Sequence, residues 1–296
     1  MGEGMALVAA FLWAITSTLL RALGQAASPL WIGVVRLWVA ALFIVAVAAV
    51  RGDIGALWHV SPGEAAAIAG SGVLAYAAGD TLYIRALARF GLATVFPASM
   101  SAFIGLTVVG GIALLGEPFS VGLALGGAGI VAGVWLLAEG GRRSTVSGAS
   151  TGISRGEMLA TVAAIAVLWA SATLLLTWGQ ASLPALAVGS LRTPAAALAV
   201  STVALVADAR AARLLAERRR LAAGAAAAGL VGTGIGSLLY VVALHEAGAA
   251  RTAVLSSTSP VWGLPLAVTL LGERPTLRTV AGTALALGGA MAVVLL

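Results

Sequence analysis

Long apolar runs follow one another along almost the whole chain, and polar residues are confined to the short connections between them. A helix that crosses a bilayer needs about 20 mainly apolar residues. About ten stretches of that kind can be marked, near residues 4–23, 30–50, 64–88, 92–115, 119–138, 157–178, 184–207, 222–245, 248–271 and 276–296. Pro29, Pro62, Pro118, Pro184 and Pro275 stand at or near the starts of these runs, where a missing N–H costs little. The pattern predicts an all-α membrane protein of about ten transmembrane helices.

Two connections are longer than the rest. Residues 139–156 are rich in Gly, Ser and Thr and read as a flexible polar linker. Residues 208–221 carry five arginines, and their spacing suits either a short amphipathic helix on the membrane surface or a solvated basic loop.

Setting each residue against the one about 156 positions later reveals an internal repeat. Leu12-Trp13-Ala14 falls on Leu168-Trp169-Ala170, Arg36 on Arg192, Tyr83 on Tyr240, and Leu115-Gly116-Glu117 on Leu271-Gly272-Glu273. Gly24-Gln25 meets Gly179-Gln180 after a one-residue slip, Ala86-Leu87 meets Ala243-Leu244, and Gly126 and Gly133 meet Gly282 and Gly289. Single matches are cheap in apolar sequence, but an ordered series at a nearly constant offset is not. The chain therefore divides into residues 1–138 and 157–296, two five-helix units joined by the linker 139–156. Five is odd, so the second unit enters the membrane from the opposite face. Inverted-topology repeats of this kind are typical of secondary transporters.

Composition agrees with lipid as the solvent. Hydrophobic residues make up 60% of the chain and charged residues 9%, against about 25% charge in a soluble domain. The 38 glycines suit helices packed closely in a bilayer. Gly122-x-x-x-Gly126 and Gly129-x-x-x-Gly133 in the fifth span, with Gly282, Gly288 and Gly289 in the tenth, mark close-packing faces. Those faces join either the two halves or two molecules as a homodimer. Cysteine is absent and the histidines are His59 and His245 alone. Thiolate chemistry is thereby excluded, and neither a metal site nor a cofactor is expected. The first run has no positive n-region, its early charge is Glu3, and it has a counterpart in the second half, so it reads as a retained helix rather than a signal peptide.

Net charge is +6 and all seventeen basic residues are arginine. They cluster between spans, which points to topology rather than to nucleic acid. Arginine excess marks the cytoplasmic side. Arg21, Arg85, Arg89, Arg142, Arg143, Arg155, Arg210, Arg213, Arg218, Arg219, Arg220, Arg274 and Arg278 share one side, against Arg51 and Arg251 on the other. That bias predicts both termini outside.

The repeat, Leu12-Trp13-Ala14, Gly33-Val34-Val35-Arg36-Leu37 and Leu115-Gly116-Glu117, with their second-half mates, resemble the EamA family of the drug/metabolite transporter superfamily. The resemblance covers nearly the whole chain. It implies ten helices in two inverted repeats, alternating access, and a central cavity lined mainly by helices 1, 3, 4, 6, 8 and 9. Family members carry metabolites, amino acids or drugs, often outward, and commonly keep both termini in the cytoplasm.

Candidate substrate-binding residues follow from chemistry and depth. Asp80 lies well inside the third span, and an ionisable group there is a functional candidate by default. It would bind a cationic group or a proton, or else form a structural ion pair with Arg36 or Arg85; its repeat mate is Ser237. Arg36 and Arg192 would hold a substrate carboxylate, or snorkel to the interface and tie helix ends together. Trp13 and Trp169 offer flat apolar walls, and Ser17, Tyr76, Tyr83, Thr173 and Tyr240 offer hydroxyls. The fourth and ninth spans are interrupted in matching places, at Phe96-Pro97-Ala98-Ser99 and at Ser257-Thr258-Ser259-Pro260-Val261-Trp262, with Pro265 beyond. Paired broken helices point to a binding site, here including Ser99, Ser257 and Trp262. Glu117 and Glu273 follow helix-ending glycines and precede the next helix, whose positive end favours a carboxylate; both read as structural.

The expected function is secondary transport of a small organic metabolite or amino acid across the cell membrane, export rather than uptake. Its partners would be the solute, the bilayer, and a coupling proton or sodium ion. No phosphate-binding P-loop is present to couple ATP hydrolysis. The alternatives are a membrane enzyme, which would need clustered His, Asp, Glu or Arg at a membrane face, and a non-transporting scaffold, against which the duplication argues weakly, since symmetry about a midplane serves alternating access.

Overall fold

The computed structural model describes residues 1–90, 92–142, 155–180, 183–256, 258–259, 261–262 and 277–295. Among them every regular element is helical. The first half runs through α1 (Gly2–Ala26), α2 (Pro29–Arg51), a 3-10 segment (Asp53–His59), α3 (Pro62–Gly72), a π-helical segment (Val73–Asp80), α4 (Thr81–Phe90), α5 (Leu92–Leu115) and α6 (Val121–Arg142). The second runs through α7 (Arg155–Gly179), α8 (Ala185–Glu217), α9 (Arg219–Ala228), a π-helical segment (Gly229–Gly236), α10 (Ser237–Ser256) and α11 (Leu277–Leu295). Six helices are long and apolar enough to cross a membrane: Gly2–Ala26, Pro29–Arg51, Ala98–Leu115, Gly156–Gly179, Ala185–Arg210 and Arg219–Ser256. Val121–Gly133 and Ala284–Val293 are shorter apolar helices.

Local chemistry sets the helix ends. Pro29 and Pro62 open α2 and α3. At α3 the Glu64 N–H donates to Ser61 Oγ at 3.3 Å while the Ser61 N–H donates to the Glu64 carboxylate at 2.9 Å, a reciprocal cap that satisfies two orphan donors. α2 stops at Gly52 (φ 77°), where glycine takes the left-handed turn without a Cβ clash. Gly248 (φ 78°, ψ 171°) breaks the run Ser237–Ser256 into two helices, at the boundary expected between the spans 222–245 and 248–271. α8 bends at Asp208 (φ −153°) and stays helical to Glu217, so that part of the basic stretch 208–221 is helix rather than loop. Residues 143–154, the greater part of the linker, lie outside the described residues.

Repeat mates pack on each other. Along α2 and α8, Trp31 Nε1 donates to the Asp208 carbonyl (2.7 Å) and Trp38 Nε1 to Ser201 Oγ (3.0 Å), and a Cβ built on Gly189 would sit 2.9 Å from Ile44. Numbers rise along one helix as they fall along the other, so the pair is antiparallel. α6 and α11 behave likewise: Gly126 faces Val293, Gly129 faces Gly289, and a Cβ on Gly133 would lie 2.6 Å from the Ala286 nitrogen. Of the two uses the glycine faces allowed, this chain uses them to join its halves. Gly288 by contrast meets nothing within 4 Å.

Contacts at the helix ends tie neighbouring elements. Glu3 pairs with Arg251 (2.9 Å), Arg89 with Glu157 (2.7 Å), and Arg218 donates to the Ala26 carbonyl (3.3 Å). Glu117 serves as a cap, but not at the helix that follows it in sequence. Gly116 (φ 67°) ends α5 and folds the chain back so that the Glu117 N–H donates to Gly111 O at 3.0 Å. Its carboxylate then accepts from the N–H groups of Ala249 and Ala250 at 2.5 and 2.8 Å, the first amides of the helix that restarts after Gly248. Glu273 lies outside the described residues.

Candidate functional site

The centre of the bundle is organised by four glycines, one pair per half. Gly72 and Gly79 bracket the first π-helical segment, and Gly229 and Gly236 bracket the second. A Cβ on Gly72 would strike the carbonyl oxygen of Arg192, and one on Gly229 that of Arg36. A Cβ on Gly79 would lie 2.9 Å from the indole nitrogen of Trp169, and one on Gly236 3.1 Å from that of Trp13. Each half thus lays its π segment against the arginine and tryptophan of the other. A π turn also disturbs the i→i−4 ladder. Trp13 Nε1 donates to the Gly232 carbonyl at 3.1 Å, whereas Trp169 Nε1 donates to Asp80 Oδ1 at 3.0 Å.

Between the halves lies a cavity, part of it open to the outside. Trp13, Ser17, Tyr76, Asp80, Tyr83, Trp169, Thr173, Ser237 and Tyr240 line it, as do Arg36 and Arg192. The walls are aromatic: Trp13 packs at a tilt against Tyr240 and Trp169 edge-on against Tyr83, each with ring centroids 5.0 Å apart. The tyrosine hydroxyls are held from behind, Tyr83 donating to Ser17 Oγ (3.3 Å) and Tyr240 sharing a hydrogen bond with Thr173 (2.9 Å).

Charge is distributed unequally between the halves. Arg36 and Asp80 form an ion pair whose side chains are 4% and 15% exposed. Arg192 has neutral partners instead. Its Nε donates to Ser71 Oγ (3.0 Å), Nη1 to the Tyr76 hydroxyl (2.5 Å), and its guanidinium lies over the Tyr76 ring, 4.4 Å from the centroid. Neither arginine reaches the bundle surface; both are buried, so interface snorkelling does not describe them. Of the two partners considered for Asp80, it takes Arg36; Arg85 is exposed.

Two expected site residues lie elsewhere and a third is outside the described residues. Ser99 is buried in α5 away from the cavity, and its hydroxyl has no partner among the described residues. Trp262 packs edge-on against Phe11 (centroids 5.8 Å apart) rather than lining the space. Ser257, like Pro260 and Pro265, lies outside the described residues. Helix α5 continues through Pro97. Among the described residues, irregular backbone that faces the cavity sits in the third helical stretch of each half; in the ninth span the helix is also interrupted at Thr258, whose N–H donates to Leu255 O at 3.2 Å while its carbonyl accepts from the Val261 N–H at 2.8 Å. Sequence reasoning passed over Thr16, Ala75, Phe103, Gly232 and Thr233, which complete the lining with Leu20, Phe96 and Met100. The signal was present: Gly72 and Gly79 recur one repeat later as Gly229 and Gly236. Among the described residues no cluster of three His, Asp or Glu could hold a metal ion.

Comparison with known proteins adds the rest. A family profile described as the EamA-like transporter family matches residues 1–138 and 155–295, once per half. A solved crystal structure, described only as that of a protein, is similar in fold: TM-score 0.77, 20% identity, covering 99% of this chain and 96% of that one. No curated protein matches.

Proposed function

This chain belongs to the EamA-like transporter family, and from that premise we propose that it is a secondary transporter of a small organic metabolite or amino acid, working by alternating access around the central cavity. Together with its apolar helices, membership makes it an integral multi-pass membrane protein of a family that moves small solutes.

The observation that carries the mechanism is the antiparallel packing of repeat mates. α2 meets α8, and α6 meets α11, with opposed chain directions. Two copies of one unit that meet this way are related by a two-fold axis perpendicular to those helices. For spanning helices that axis lies in the bilayer plane, which is the geometry of inverted repeats. On this reading the chain crosses the bilayer ten times, five per half, with α1, α2, α3 to α4, α5 and α6 in the first and α7, α8, α9 to Gly248, the helix from Ala249 and α11 in the second. Exchanging the conformations of the two halves would open the cavity to either side in turn.

Asp80 is the one carboxylate among the described lining residues. Its two oxygens hold Arg36 and Trp169, so a proton or sodium ion taken there would release elements of both halves at once. That makes it our candidate for coupling. We place the protein in the cell membrane, moving solute outward, with both termini outside as the arginine bias requires.

The test is flux. Purified protein in sealed liposomes should accumulate one member of a labelled panel of amino acids, monocarboxylates, amines and nucleobases, faster under an imposed pH gradient. Asp80→Asn should abolish the pH dependence. Folded, reconstituted protein that moves no solute would remove the transport reading, and product formation without flux would make the protein an enzyme.

A further inference from the structure

Within the transport reading above, we propose that the solute is a small monocarboxylate with a flat apolar body, and that Arg192 is its anchor. The inference starts from a charge count. The charged groups among the described cavity-lining residues are Arg36, Asp80 and Arg192. Arg36 and Asp80 cancel each other. Arg192 has no carboxylate within ion-pair distance among the described residues, and it is 4% exposed. A cation buried in apolar surroundings without a counterion is costly. Tyr76 and Ser71 offset part of that cost through hydrogen bonds and the ring face, but they bring no negative charge.

The internal repeat supplies the comparison. Arg36 and Arg192 occupy equivalent positions, and their partners differ in one respect: where Asp80 answers Arg36, the equivalent residue is Ser237. The Ser237 hydroxyl turns to the Gly232 carbonyl at 3.5 Å. The halves share the glycine clearance and the tryptophan wall, yet one half keeps its counterion and the other leaves the place to be filled. The bonds to Ser71 and Tyr76 use Nε and Nη1. Nη2 has no partner among the described residues, so donors remain for an incoming carboxylate. Trp13, Tyr240, Trp169 and Phe103 provide an aromatic lining for its body. An ammonium group would find Asp80 already holding two donors, which disfavours amines.

The test uses four probes with one ring system and four charge states: indole-3-acetate, tryptophan, tryptamine and indole. They are titrated against the purified chain in detergent, in a buffer free of chloride and of any carboxylate. Indole-3-acetate should bind at least ten-fold more tightly than tryptamine or indole. Arg192→Gln should weaken it by roughly ten- to hundred-fold, the scale of one charge-assisted hydrogen bond, and Arg192→Lys should restore part of the loss. Ser237→Asp covers the case in which Arg192→Gln fails to fold. It supplies the missing carboxylate from within, so it should raise the melting temperature and abolish anion binding. Equal binding of all four probes, preference for tryptamine, binding of none, or unchanged indole-3-acetate affinity in Ser237→Asp would each overturn the proposal. Binding is read without a gradient. Anion binding without flux would therefore leave this inference standing and remove the transport reading, while flux of tryptamine without anion binding would do the reverse.

Discussion

Replacing Asp80 by alanine leaves the Arg36 guanidinium without its counterion, in a side chain only 4% exposed, and takes the acceptor from the Trp169 indole N–H 3.0 Å away. Removing one member of a buried ion pair costs about 3–5 kcal/mol, because the survivor stays charged and desolvated. The orphaned indole adds about 1 kcal/mol. Arg36 Nε already lacks a partner among the described residues, so little nearby can take up the slack. At roughly 2 °C per kcal/mol for a chain of this length, the melting temperature should fall by about 8–12 °C. The double variant Arg36→Met, Asp80→Ala removes both charges. An apolar replacement of a buried pair is often neutral or stabilising, so only the indole cost of about 1 kcal/mol should remain. Tryptophan fluorescence during heating in detergent reads both variants against the parent. If the single variant is as stable as the parent, or the double variant as unstable as the single, Arg36 and Asp80 are not one energetic unit.

Three further outcomes follow from the same geometry. Glu117→Ala removes two charge-assisted bonds to Ala249 and Ala250 and should cost about 2–3 kcal/mol in thermal unfolding while solute affinity stays unchanged; loss of affinity at full stability would give Glu117 a functional role instead. Gly72→Ala and Gly229→Ala each drive a Cβ into an arginine carbonyl and should cost about 1–3 kcal/mol, whereas Gly105→Ala and Gly288→Ala, which meet nothing within 4 Å, should be neutral or slightly stabilising in the same melt. For orientation, the chain has no native cysteine, so His59→Cys and Glu217→Cys, both at exposed positions, can be labelled singly on intact cells; a membrane-impermeant maleimide should reach position 59 and not 217, and the opposite pattern would put both termini inside.

Much of the architecture was written in one dimension. Spans are set by runs of apolar residues long enough to cross hydrocarbon, and a duplication survives as matched residues at a fixed offset, so both are local or periodic properties. The break at Gly248 fell where the polar gap placed it. Most of the cavity-facing residues were found by the same means, because a polar or aromatic side chain deep in a span has little reason to be there unless it faces other protein. Ser99 and Trp262 show the limit of that rule: both are deep, and neither lines the cavity. Proline drew attention to the fourth and ninth spans, while the π-helical segments lie in the third and eighth, where glycines rather than prolines mark them.

The sequence by itself determined that the chain is a duplicated set of membrane helices and that Asp80 sits inside it; Arg36 and Arg192 it left open between the interior and the interface. Only the tertiary structure decided which charge answers which. Coulomb energy depends on separation in space and on burial, and neither is carried by the 44 residues that separate Arg36 from Asp80 along the chain. The same holds for Glu117, which caps a helix 132 residues away, and for the glycine faces of α6 and α11, whose choice between an internal and an external partner is a matter of which surfaces meet.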